Sequence, residues 1–310
     1  MDSSNVAPEQ CTRDAELWLN DGNLILQDAC LFRVHHSVLA MHSLFFHDLE
    51  TIPQGEAQAA YDGAPLVALC GDEPADVRHF LKALYFPHYL PPPPMQASVD
   101  IIFGVLRLAH KYQALQWRCC ALRHLSKIFA TDLETHLDVD DQSAHTIRIA
   151  LALAQEVGAA WLLPSIYLGA MFFPETMISS SESLEGRPAC LAHNDLAIIF
   201  SAMSEVQRMF PRYVFLLPGH QCYNYKCAMA RLQLSLGDGD SRFSESPLDF
   251  LDDILDDEDD TDAVCATCLA DMRLHYQEWK KGLWDALPTI YRLPAWPELL
   301  EMKKRDLEVR

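Results

Sequence analysis

The chain has 310 residues, half of them hydrophobic, which is enough to bury one large or two ordinary cores and excludes wholesale disorder. Its formal net charge of −20 disfavours nonspecific attraction to nucleic acid or to an anionic membrane, and the lysines and arginines are interleaved with acids rather than clustered. No apolar run approaches the length of a membrane span, and the first residues lack the apolar stretch of a signal peptide. A reducing compartment, cytosol or nucleus, is therefore expected. There the ten cysteines are thiols or metal ligands before they are disulfides.

In chain order, residues 1–13 read as a disordered lead-in. Asp21-Gly22-Asn23 is a turn signal. Leu24 to Leu26 and Phe32 to Val34 are runs of strand length joined by Gln27 to Cys30, which predicts a hairpin. After it, Val38, Leu39 and Ala40 form an apolar turn. Ser43 is placed to cap a second short helix that carries Phe45 and Phe46. Thr51 to Gly63 reads as a loop, and Leu66 to Leu69 as a third buried strand. A helix is expected over Asp72 to Tyr85, where Val77, Phe80, Leu81, Leu84 and Tyr85 follow helical spacing. Pro87 to Pro94 breaks it. The four consecutive prolines suit a stiff connection better than a recognition peptide, for which flanking arginine is missing.

These residues carry a resemblance. The pattern Phe32, Val34, His35, Val38, Leu39, Ala40, Ser43 and Phe46, following Asp21 and Leu24-Ile25-Leu26, resembles the signature of the BTB/POZ family. The later run Leu108-Ala109 with Tyr112 fits the same family. The resemblance implies an α+β fold over residues 14–130, with a small three-stranded sheet and helices, that dimerises or joins other proteins to a cullin ubiquitin-ligase scaffold. It also implies a charged pocket at Asp21. Where the family's co-repressor-binding members place Arg or Lys after the motif's His, this chain has His36.

Ser98 is expected to cap a helix with Ile102, Val105, Leu106, Ala109 and Tyr112 on its apolar face. A further helix carries Leu115, Cys119, Leu122, Leu125 and Phe129. Cys119 and Cys120 read as small buried hydrophobes. Thr131 to Gln142 is acidic and turn-like, and marks the expected boundary of an all-helical region over residues 143–310. That region opens with a helical hairpin around Gly158 and then has a surface loop over Glu175 to Pro188. Next comes a helix capped by Asn194 or Asp195, with Leu196, Ile199, Phe200, Met203 and Phe210 on its apolar face. Its strongest helix carries Leu269, Met272, Tyr276, Trp279, Leu283 and Leu287. Pro288 and Pro294 are expected to stop the helices before a short terminal one at Trp296. This closing pattern is similar to that of fungal-type BTB proteins.

Two features of the second half bear on chemistry. Cys222 and Cys227, then Cys265 and Cys268, are two short-spaced pairs with 37 residues between them. Short pairs let one turn supply two of the four thiolates that a structural zinc needs, with His220 available as a substitute ligand. Four unrelated thiols are the alternative. The acidic loop 238–262 holds twelve acids and one arginine, a net −11. Leu248, Phe250, Leu251, Ile254 and Leu255 are spaced among these acids. Either the leucines tuck onto neighbouring helices, or the segment serves a transcriptional regulator by folding on a partner. Hydrolase, nucleotide-binding and metalloprotease motifs are missing, and each histidine of the motif region suits packing better than catalysis. The sequence thus predicts a non-catalytic interaction protein with a structural zinc as its one candidate cofactor. Its partners are expected to be proteins, with neither nucleic acid, membrane nor small-molecule substrate.

Overall fold

The computed structural model describes residues 11–49, 59–137, 143–178, 191–216, 222–236, 247–256 and 261–308. The architecture is mixed α+β: a five-stranded sheet with its helices, followed by helices alone. The hairpin forms as the sequence predicts, from β2 (Leu24–Gln27) and β3 (Cys30–Val34), with Leu24 opposite Val34 and Leu26 opposite Phe32. Strand side chains alternate between faces, so those four residues share the face that the helices cover, while Ile25 and Leu31 point to the other face.

The sheet has five strands where three were expected. β1 (Thr12–Trp18) lies parallel to β3, and β5 (Ala64–Ala68) lies parallel to β2, with the two-residue β4 (Ala60–Tyr61) at the outer edge. β1 escapes sequence reading because only Asp14 and Leu17 in it are buried. What fixes it is polar. Asp14 Oδ1 accepts the Glu16 and Leu17 N–H groups at 3.0 Å each, across an irregularity in the β1–β3 pairing. Its other oxygen takes Arg78 Nε at 2.7 Å. Thr12 and Arg13 are thus part of a strand rather than of a lead-in, while residues 1–10 lie outside the described part.

α1 (His36–His42) and α2 (Leu44–Leu49) meet at Ser43, whose Oγ accepts the Phe46 N–H at 3.3 Å, the expected cap. The same hydroxyl donates to the Tyr112 carbonyl at 2.5 Å and ties the α1–α2 corner to Tyr112, 69 residues further along the chain. α3 (Pro74–Tyr85) and α4 (Val99–Lys111) pack over the sheet, and Ser98 caps α4 as expected. The proline-rich connection is pinned at Pro91, whose carbonyl accepts His124 Nε2 of α5 (Leu115–Ile128) at 2.7 Å. That favours a stiff connection over a free peptide ligand.

α6 (Leu133–Leu137) precedes a hairpin of α7 (Ala144–Glu156) and α8 (Leu163–Ala170). Its turn needs Gly158 at φ +71, a left-handed conformation that a side chain would strain. α9 (Pro174–Ile178) occupies the start of the expected 175–188 loop and buries Met177; residues 179–190 lie outside the described part. α10 (His193–Arg208) is not capped by Asn194 or Asp195, since its N-cap is Ala192. Asp195 is instead buried, accepting Tyr167 Oη at 2.7 Å and Gln155 Nε2 at 2.5 Å. Phe200, expected on the apolar face, is exposed. α11 (Arg212–Leu216) and α12 (Tyr225–Leu236) follow. Next come a short acidic helix (Phe250–Asp256), the long helix (Ala266–Ile290) and the C-terminal helix (Trp296–Leu307). Pro288 does not stop the long helix but lies in its last turn, where the missing N–H costs one bond only.

One buried cluster runs from Ala83 through α4, α5 and α7 to Leu299, so apolar packing joins the helices before residue 131 to those after residue 142. The C-terminal helix returns to α5. Asp306 accepts Arg118 Nη1 at 2.9 Å and Trp161 Nε1 at 2.8 Å, and Cys119 Sγ donates to the Leu307 carbonyl. Burial raises the Cys119 and Cys120 thiols, in keeping with their packing role. No helix among the described residues is long and apolar enough to cross a membrane.

Candidate metal centre

The two cysteine pairs, far apart in the chain, come together at two helix N-termini. Asn224 Oδ1 accepts the Lys226 and Cys227 N–H groups at 3.0 and 3.3 Å, which starts α12 with Cys227 in its first turn and Cys222 just ahead of it. Cys265 is the N-cap of the long helix, and Cys268 lies in that helix's first turn. All four Sγ atoms lie within 4.8 Å of one another, and Cys222 and Cys265 are 4.0 Å apart. A zinc–sulfur bond of about 2.3 Å sets tetrahedral sulfurs about 3.8 Å apart. The set is therefore within about 1 Å of a tetrathiolate cage without any change of fold.

The surroundings favour thiolates. Helix N-termini place partial positive charge and unpaired N–H groups at the sulfurs. The Cys265 N–H donates to Cys227 Sγ at 3.3 Å, the kind of bond that orients a metal-bound thiolate. The Cys268 N–H, helped by the neighbouring thiols and opposed by burial, lowers the Cys265 thiol to about 6, although that contact falls short of a cap hydrogen bond. Burial pushes Cys268 upward, and its three sulfur neighbours add to the shift. The four groups act as one set: the first negative charge is welcome, and further ones need a cation among them. Cys227 and Cys268 are buried while Cys222 and Cys265 are half-buried, so one side of the cage reaches solvent. His220, the expected substitute, lies outside the described residues.

The expected interaction motif is also assembled in one place. Phe32, Val34, Leu39, Ser43 and Phe46 are buried, while Val38 and Ala40 are half-buried at the helix turn. The Tyr112 ring lies 5.1 Å from Phe46. The His35 N–H donates to Tyr85 Oη at 2.7 Å, and its ring nitrogen Nδ1 is 3.3 Å from the same oxygen, a local structural role as expected. Asp21 is exposed, with its carboxylate 3.4 Å from His35 Nε2, and the next residue's ring, His36, is turned to the Phe46 carbonyl at 2.9 Å. Among the described residues, the ion-pair partner of Asp21 is His35 rather than an arginine or lysine.

Sequence reading did not anticipate the surface next to this motif. Met41, Leu44, Phe45 and Leu115 are 77, 51, 41 and 54 % exposed. The Leu44 N–H meets the Gln113 carbonyl at 3.4 Å, and the Phe45 ring lies 5.2 Å from Tyr112, so α1, α2 and the start of α5 are neighbours, each with an exposed apolar side chain. The signal in the sequence was the side-by-side pair Phe45-Phe46, of which a short helix can bury only one. In the acidic stretch, Leu248, Phe250, Leu251, Ile254 and Leu255 are all buried. Phe250 packs edge-on against Tyr276 at 5.3 Å, and Lys280 Nζ meets Asp252 at 2.6 Å. Residues 238–246 and 257–260 of that stretch lie outside the described part.

No protein-family model, no curated protein and no solved structure matches this chain.

Proposed function

We propose that this chain is a non-catalytic protein–protein interaction protein whose α+β half is of the BTB/POZ type and whose helical half is held by a structural zinc. The observation that carries the interaction reading is the apolar surface of Met41, Leu44, Phe45 and Leu115, built on a buried and hydrogen-bonded scaffold. Large exposed apolar side chains grouped on rigid helices mark a docking face. Its occupant is a second copy of the chain or another domain of the same type, in a dimerising or adaptor role, with recruitment to a cullin scaffold as one outlet. A non-catalytic role is supported by the buried carboxylates Asp72 and Asp195, which are tied into structural networks. Asp72 takes Lys111 Nζ at 2.6 Å and the Tyr112 hydroxyl, and Asp195 takes Tyr167 and Gln155.

Sedimentation of the full chain tests this reading. A dimer at micromolar concentration that becomes a monomer with unchanged circular dichroism in Leu44→Asp supports it. A monomeric wild type at tens of micromolar, together with no BTB-type or cullin partner recovered, refutes it. The alternative, a transcriptional regulator acting through residues 247–262, has less support. The leucines and phenylalanine it would offer to a partner are already packed on the long helix.

The zinc reading rests on the four sulfurs and the two helix N-termini that converge on them. When bound, the metal holds the start of α12 to the start of the long helix across the acidic stretch and contributes folding free energy directly. Cobalt reconstitution tests the donor set: four thiolates give intense sulfur-to-metal charge-transfer bands with tetrahedral ligand-field bands. Octahedral, weak spectra would exclude the cage.

A further inference from the structure

Arg231 lies on α12 one helical turn after Cys227, so the two side chains share a face. Arg231 is only 6 % exposed. Its Nη1 donates to the Phe215 carbonyl at 2.6 Å, and its Nε is buried with no acceptor at all. No carboxylate among the described residues pairs with it, whereas the buried Lys280 meets Asp252 at 2.6 Å. A buried guanidinium with one neutral acceptor is strongly destabilising unless an anion lies nearby. The side chain one turn back on the same helix face, Cys227, belongs to the four-cysteine set, and the Arg231 charge favours the thiolate form of Cys268 in that set as a small effect beside burial.

Four neutral thiols offer no charge to answer it. Four thiols that release four protons to one divalent zinc leave a centre with a formal charge of −2. We propose that Arg231 is the counter-charge of the four-cysteine centre, holding it in its doubly negative zinc–tetrathiolate form. The inference rests on the zinc reading and deepens it. Arg231 is a positioning and charge-balancing residue, not a ligand, and it acts through the field at the sulfurs. The same neighbourhood explains why an arginine rather than a leucine occupies a buried position of α12. The guanidinium is the price of burying an anionic cage.

The test is zinc release from the purified, zinc-loaded full chain to a chromophoric chelator, for wild type, Arg231→Met and Arg231→Lys. Arg231→Met is expected to lose zinc at about one-tenth of the chelator concentration, a typical effect of removing an outer partner of a metal site. Arg231→Lys keeps the charge and is expected to stay within about threefold of wild type. A second readout separates charge balance from packing. In the reduced, metal-free state Arg231→Met should melt no lower than wild type, because the stranded charge is gone. Zinc retention by Arg231→Met equal to wild type overturns the inference, as does an equal loss of stability with and without metal. If Arg231→Met yields no folded protein, Arg231→Lys decides: loss of zinc by tenfold or more overturns the proposal. A wild type that binds one zinc while Arg231→Met is unaffected sinks the counter-charge alone. A wild type that binds no zinc sinks the metal reading and this inference together.

Discussion

Phe46→Ala removes the aromatic residue on which the α1–α2 corner closes. Phe46 is 1 % exposed, and its ring touches those of Phe45 and Tyr112 at 5.2 and 5.1 Å. A buried phenylalanine removes roughly 150–250 Å² from water. At about 25 cal/mol per Å² that gives on the order of 4 kcal/mol, an upper estimate because the unfolded chain already buries some of it. Lost ring contacts with Tyr112 add about 1 kcal/mol. Relaxation offsets part of this, since the half-exposed Phe45 can lean into the space. The expected loss is about 3 kcal/mol, within the usual range for such a truncation. Urea unfolding followed by circular dichroism and tryptophan fluorescence measures it. Phe45→Ala is the control: at 41 % exposure it should cost about 1 kcal/mol or less. A Phe46→Ala cost under about 0.5 kcal/mol, or a larger cost for Phe45→Ala, would refute the register of the motif.

Asp14 is held below its ordinary value of 3.8: burial alone would raise it, but the bond to Arg78 and the two backbone N–H groups outweigh burial. A depressed carboxylate stabilises the fold above its unfolded value, and that contribution is lost as pH falls through the folded value. Asp14→Asn should therefore cost about 1–2 kcal/mol at pH 7 and flatten the stability loss between pH 4 and the acid limit, read from urea midpoints across pH. An acid profile identical to wild type would contradict the role given to Asp14. For the Lys280–Asp252 pair, Asp252→Asn strands a buried ammonium and should cost about 3 kcal/mol. Lys280→Met leaves only a carboxylate that water can reach, and should stay within about 1 kcal/mol of wild type by the same unfolding assay. Equal costs would mean that the pair is solvated.

What was legible in the sequence was local. The hairpin, the Ser43 and Ser98 caps and the Gly158 turn each depend on residues a few positions apart, and each stands where the pattern puts it. The misses share one cause, a side chain used by a distant partner. Asp195 looked like a cap but serves Tyr167, 28 residues away, and Asp14 builds a strand through Arg78, 64 residues away. β1 has too few apolar residues to announce itself, and Pro288 sits where a helix tolerates it. At the metal centre the four cysteines were legible from their paired spacing. Asn224 and Arg231 were not, because an asparagine cap and a lone arginine carry no spacing signal. In the acidic stretch the sequence left the place of the apolar side chains open, and the structure buries Leu248, Phe250, Leu251, Ile254 and Leu255.

The claim that two distant cysteine pairs form one metal cage is tested most directly by counting metal. Wild type and Cys268→Ser are expressed and purified without chelator under reducing conditions, and zinc per chain is measured by plasma emission spectroscopy. The expected result is one zinc per chain in the wild type and a loss of most of it in Cys268→Ser. The variant should unfold at lower urea, because the start of the long helix loses its link to α12. A wild type that is metal-free and fully stable, and that takes up no added zinc, would contradict the account. The four sulfurs would then be reduced thiols, and apolar packing alone would hold the helical half.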